Sequence, residues 1–197
     1  MNQICIHELA WEGPFTFFGS AAPVIFEQPI AESPGIYLWT FRYEDGYVVD
    51  YVGQTGKSFG ERFYQHIAEQ TSGRYDITDG SRILRRKDKI IWPGIYWKKG
   101  QWKRTGEYLA KLPEFAVHIH KVYAEYRLFL APLKAERRTL ERIEAAIALH
   151  LRSVPGPVGE MQDPNVVYRP RWGREKPFTV RFTSQAKILS LPPELEA

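Results

Sequence analysis

Cysteine is almost missing from this chain of 197 residues: Cys5 stands alone. One thiol cannot close an internal disulfide or build a cysteine-rich zinc site, so neither device holds the fold. The expected state of Cys5 is an inert, half-buried thiol. Long apolar runs are missing too. Nothing reaches the roughly 20 residues a membrane helix needs, and no signal-peptide pattern is visible, so the reading is an intracellular chain with no membrane partner. There is no internal repeat and no low-complexity tract. No sign of charge dominates: 27 Lys and Arg stand against 23 Asp and Glu, a net charge of +4. That mild excess permits a nucleic-acid partner without requiring one.

Aromatic residues, by contrast, are plentiful, and they concentrate in the stretch from Gly35 to His66. Gly35–Phe41 and Tyr47–Gly53 are aromatic and β-branched, with Asp45-Gly46 as a turn signal between them. A loop over 42–46 would place Phe41 opposite Tyr47, Trp39 opposite Val49 and Tyr37 opposite Tyr51. All three pairs then share one face, and a slip of one residue would undo this. Ser58-Phe59-Gly60-Glu61 matches a capping box that starts a helix near Phe59, with Phe59, Phe63 and Ile67 as its apolar stripe. Arg62 and His66 are four apart, so they stack along the edge of that stripe. Two phenols, a guanidinium suited to phosphate and an imidazole thus come from adjoining elements.

Gly35-Ile36-Tyr37, Tyr51-Val52-Gly53, Arg62 and His66, in this order and spacing, resemble the GIY-YIG endonuclease family. The resemblance covers roughly 33–153. Gly94-Ile95-Tyr96 is a second GIY with no partner motif after it, a coincidence. The family also requires a metal-binding glutamate on a later helix.

The rest of the chain is read in order. Residues 1–32 mix aromatics, Gly and Pro and are expected to be an arm of one or two short strands packing on the domain. Gln54-Thr55-Gly56-Lys57-Ser58 sits between a strand and a helix, as a P-loop does. That pattern requires glycine at position 51, where Tyr51 stands, so a nucleotide cofactor is not expected. Lys57 is either a DNA phosphate contact or a solvated lysine. Residues 71–105 form a basic, aromatic insertion. Its Arg82, Arg85, Arg86, Lys87 and Lys89 either neutralise a DNA backbone or line a solvent face. Gly106–Leu112 reads as a short helix ended by Pro113. The alternation in Phe115–Tyr123 reads as a strand with His118 and His120 on its wet face, and Tyr126–Leu130 as another.

Lys134–Arg152 is the strongest helical pattern, with Leu140, Ile143, Ile147 and Leu151 as its stripe. Glu144 falls in the middle of that stripe and Glu141 on its flank. A carboxylate there needs an ion-pair partner or a cation. The resemblance favours the cation: Glu144 would hold a single Mg²⁺ or Mn²⁺. Residues 154–197 are expected to be a basic C-terminal extension, strand-like at Phe178–Phe182 and loose over Leu191–Ala197. Asn165 is the only residue available for the family's asparagine.

The fold implied is α/β (α+β): a small sandwich with a central, mostly antiparallel sheet of three to four strands flanked by helices. The activity implied is metal-dependent hydrolysis of DNA, with Tyr37, Tyr51, Arg62, His66 and Glu144 as the site. Either tyrosine could be the base; Tyr51 is the first choice, with Tyr37 as its partner. A non-cleaving nucleic-acid-binding module on the same fold is the alternative.

Overall fold

The computed structural model describes residues 5–80, 90–95 and 100–197. Arg82, Arg85, Arg86, Lys87 and Lys89 lie outside the described residues. The chain divides into two compact units. The first comprises Met1–Gly60 and Tyr126–Ala197, the second Glu61–Glu125. The fold is mixed α and β.

The first unit is built on one six-stranded sheet. In chain order its strands are β1 (Ile6–Phe15), β2 (Gly35–Tyr43), β3 (Gly46–Thr55), β6 (Arg127–Pro132), β7 (Thr179–Ser184) and β8 (Glu194–Glu196), arranged β3-β2-β6-β1-β7-β8. The sequence pointed to three or four strands; the extra ones come from the two ends of the chain. The expected N-terminal arm supplies β1, which pairs antiparallel with β6 and parallel with β7. Alternation in β1 is faint because only Leu9 and Trp11 are buried in it. The C-terminal residues expected to be loose form β8, and Ala197 is buried. Helices α3 (Arg137–Ser153) and α4 (Pro157–Glu160) pack on β3, and α3 also covers β2. Leu140, Ile143, Ile147 and Leu151, the expected stripe, are fully buried.

The hairpin register differs from the expected one. The turn is tighter, with Tyr43 opposite Gly46 and Glu44 in the left-handed region at φ 50°. Pairing then runs Arg42–Tyr47, Phe41–Val48 and Thr40–Val49, and jumps to Trp39–Tyr51. Asp50 is the extra residue of a β-bulge. Without it Tyr37 would oppose Val52, and Tyr51 would point to the other face. With it Tyr37 opposes Gly53, and Tyr51 returns to the face of Tyr37 as its diagonal neighbour. Their ring centroids are 6.1 Å apart. The bulge is held from below: the Tyr126 hydroxyl donates to Asp50 Oδ2 at 2.7 Å, and the Tyr126 ring stacks on Phe41, 4.5 Å between centroids. Tyr126→Phe is expected to cost about 2 kcal/mol, the scale of a hydrogen bond to a charged acceptor. Urea unfolding of the two proteins measures it.

In the second unit, α2 (Thr105–Glu125) is one continuous helix. The expected break at Pro113 and the strand over Phe115–Tyr123 are both absent. Tyr108, Phe115, Ile119 and Tyr123 are buried, a helical spacing. Pro113 costs little here because it and Leu109, whose carbonyl it leaves unbonded, both face solvent. His118 and His120 are therefore helical residues. His118 Nδ1 accepts from the Gly80 amide at 3.3 Å and lies 3.5 Å from Asp79, while His120 is exposed. A small two-stranded sheet, β4 (Ile77–Thr78) with β5 (Ile90–Trp92), completes this unit. Trp92 is its central side chain. It donates to the Gly73 carbonyl at 2.8 Å and packs against Tyr108 and Phe115.

Candidate functional site

Tyr37 lies on β2 and is fully buried. Its ring crosses the backbone of β3 at Gly53, where any Cβ would collide with Cζ and Oη of the tyrosine. The glycine of Tyr51-Val52-Gly53 is thus the space that the tyrosine of Gly35-Ile36-Tyr37 occupies. Phe59, the first residue of helix α1 (Phe59–Thr71), closes the other side edge-on, 6.2 Å between centroids. Tyr51, on β3, is half-buried and touches both Tyr37 and Trp39. Of the two phenols, Tyr51 alone reaches solvent.

Helix α1 begins at Phe59 in the first unit and continues into the second, and it carries Arg62 and His66. By helical spacing these two prolong the face that Phe59 opens. Arg62 is half-buried, and one of its guanidinium nitrogens donates to Gln65 Oε1 at 3.4 Å. His66 is only 9 % exposed and lies 6.2 Å from the Tyr75 ring. Burial first, and the Arg62 charge second, push its imidazole down to about 3. At neutral pH His66 is uncharged. It can accept a hydrogen bond, and it adds no positive charge.

The two glutamates of α3 differ from the sequence expectation. Glu141, placed on the flank, is the buried one, at 7 % exposed. It accepts from Arg137 at 3.0 Å and Arg169 at 3.2 Å, with Arg138 at 3.7 Å. Glu144 is half-buried one turn further on. Asn165 is exposed in a turn, where its amide and side chain both donate to Asp163 Oδ1. Lys57 is exposed, its amide donating to Thr55 Oγ1 at 3.1 Å. Cys5 is exposed rather than half-buried.

Sequence reasoning missed Tyr168. It belongs to a strap, residues 163–176, that crosses α3. Arg138, Arg142 and Arg152 fall within one face of that helix, and each donates to backbone carbonyls of the strap. Arg138 bonds the carbonyls of Arg169 and Pro170, Arg142 that of Lys176, and Arg152 those of Asp163 and Val166. The Arg152 guanidinium also lies 5.4 Å from the centre of the Tyr168 ring. Burial, then the neighbouring Tyr51 and Glu144, raise the Tyr168 phenol above its ordinary range, while Arg152 opposes them. Tyr168 is therefore a protonated hydrogen-bond donor in the electrostatic company of Tyr51 and Glu144. The only sequence signal was the arginine spacing on the helix, and carbonyl acceptors leave no mark in a sequence.

The Glu144 carboxylate is a hard oxygen donor, the kind that suits Mg²⁺ or Mn²⁺. No group of three or more His, Cys, Asp or Glu that could hold a metal occurs among the described residues. A divalent ion at Glu144 would thus rest on one carboxylate, with water filling most of its shell. No helix among the described residues is long and apolar enough to cross a membrane. No family model, curated protein or solved structure matches the chain.

Proposed function

We propose that this chain is a metal-dependent DNA endonuclease of the GIY-YIG type, hydrolysing a phosphodiester at Tyr51 and Glu144. The observation that carries the reading is the bulged hairpin: an extra residue, Asp50, turns Tyr51 onto the face of Tyr37, and Gly53 makes room for the Tyr37 ring. Ordinary sheet packing needs neither device.

Glu144 would hold the ion, which when bound supplies positive charge to the phosphate and to the departing 3′ oxygen. Tyr51, half-buried, orients the attacking water and, as a phenolate, takes its proton as the new P–O bond forms; the bond to the 3′ oxygen breaks and that oxygen takes a proton from solvent. A phenol with an ordinary pKa of about 10 is a weak base at neutral pH, so it acts only beside cations. Tyr37, fully buried, fixes the position of Tyr51 by packing against it. Tyr168 keeps its proton and donates a hydrogen bond to Glu144 or to a phosphate oxygen. Arg62 supplies a permanent charge for the phosphate, an assignment that rests on motif spacing. His66, neutral at working pH, accepts a hydrogen bond in this scheme.

The test is cleavage of supercoiled plasmid and of single-stranded DNA with Mg²⁺ or Mn²⁺, wild type beside Glu144→Ala and Arg62→Ala. Metal-dependent nicking that falls about 10²-fold or more in each variant is the expected result. Nicking that survives Glu144→Ala would move the ion to another carboxylate. Wild-type protein that binds DNA without cutting it would replace the nuclease with a binding module.

A further inference from the structure

The strap that delivers Tyr168 carries a second feature on its outer side. Glu141 gathers three guanidiniums, those of Arg137, Arg138 and Arg169. One carboxylate among three cations leaves the cluster with an excess of positive charge. Arg138 is committed elsewhere: two of its guanidinium nitrogens bond Glu175, at 2.8 and 2.7 Å. Arg137 and Arg169 are not, and their side chains are 78 % and 63 % exposed. Each reaches Glu141 through one nitrogen, so its other N–H groups can bond a phosphate while the buried carboxylate keeps its partners.

Beside this cluster the strap presents Trp172, half exposed, with the Arg138 guanidinium 4.2 Å and the Arg174 guanidinium 5.7 Å from its ring. The Trp172 amide donates to Glu175 at 2.7 Å, so the loop is shaped before any ligand arrives. Arg174 is exposed and takes part in no ion pair among the described residues. An exposed tryptophan flanked by guanidiniums is chemistry that fits sugar, base faces and phosphate together. The position is equally informative. Arg137, Glu141 and Glu144 lie on one side of α3, and Arg137 to Glu144 spans about 10 Å of helix axis. Successive phosphates of one strand are about 3.4 Å apart along a duplex axis, so the cluster is two or three phosphates from Glu144.

We propose that Arg137, Arg169, Trp172 and Arg174 form a DNA-backbone clamp, gripping the strand that flanks the bond cut at Glu144. The clamp rests on the nuclease reading for its ligand, and it lies wholly on residues given no role in that reading. Glu141 is its organiser: the buried carboxylate keeps hold of Arg137 and Arg169 while their remaining N–H groups bond phosphate.

Fluorescence anisotropy on a labelled 20-base-pair DNA duplex, in EDTA so that no cutting occurs, tests it. The affinity is followed against salt for wild type, for the triple variant Arg137→Gln, Arg169→Gln and Arg174→Gln, and for the same three changed to Lys. Each phosphate contact adds about 0.9 to the slope of log K against log salt. The Gln triple should flatten that slope by about 2 to 3 and weaken binding at least tenfold, and the Lys triple should restore the slope. Should the Gln triple unfold by its melting curve, Trp172→Ala with Arg174→Gln, which leaves Glu141 paired, should still lower the slope by about 1. Wild-type binding with an unchanged slope in the folded variants overturns the clamp and leaves the nuclease standing. Cleavage-inactive wild type whose binding shows the expected slope change overturns the nuclease and leaves the clamp. Absence of wild-type DNA binding overturns both.

Discussion

Acid should weaken this protein strongly through His66. His66 is held neutral by burial and by Arg62, with its pKa pushed down from 6.5 to about 3. Above pH 6.5 the imidazole is neutral in folded and unfolded chains alike, and it contributes its full stability. Below 6.5 the unfolded chain binds a proton that the folded one refuses, so stability falls with pH at up to about 1.4 kcal/mol per unit. By pH 5 the loss from this group is about 2 kcal/mol, and it reaches about 4 kcal/mol as the pH nears 3. Urea unfolding of wild type and His66→Gln at pH 7.5, 6 and 5 measures it. The two stabilities should converge as pH falls, the Gln variant lacking this part of the slope. Parallel curves would mean that His66 titrates in the folded state as an ordinary imidazole.

The two tyrosines should separate just as clearly. Tyr51→Phe removes the one phenol of the Tyr37–Tyr51 pair that reaches solvent. Loss of a positioned acid–base group lowers a rate by about 10²–10⁴-fold, so plasmid nicking should fall by that factor with little change in melting temperature. Tyr37→Phe leaves the buried ring in place over Gly53 and should retain nicking within about tenfold, since positioning rests on the ring and not on the hydroxyl. The reverse order of the two variants would make Tyr37 the base. Gly53→Ala is the complementary case: its Cβ must displace the Tyr37 ring. Overpacking of this kind costs about 1–3 kcal/mol and should lower nicking through Tyr51, although no catalytic atom has been removed.

How much of this could be read from the sequence depends on how local the cause is. Both hairpin strands, the start of α1 at Phe59 and the stripe of α3 were legible, because propensity, capping and periodicity are local properties. The hairpin register was not. The bulge at Asp50 is held by Tyr126, which is far along the chain, and no turn rule reports it. The tyrosine pair survived the error because the tighter turn and the bulge each shift the register by one, and two shifts restore the face. Phe115–Tyr123 was misread because Val117 and Ile119 imitate strand alternation over a few residues. The buried set Tyr108, Phe115, Ile119 and Tyr123 spans far enough to show the helical period. Ranking Glu144 above Glu141 as the buried carboxylate failed for a different reason. Glu141 is buried by a loop that its own arginine partners tie down, and stripe geometry cannot anticipate the loop. The proposed activity, by contrast, rests on a resemblance of motif.

The pairing of β1 with β7 also governs how the molecule is made. Ile6 lies against Thr179 and Trp11 against Ser184, so β1 meets this neighbour only after all the chain between them has been made. Until then one edge of β1 is open, and the partner on its other edge, β6, is itself late. A sheet closed by such distant segments forms slowly, because the long loop must be closed before the contacts repay it. During that interval the N-terminal strand is an adhesive edge. Yield of active protein should therefore depend on translation speed and on chaperones, more than the stability of the finished fold would indicate.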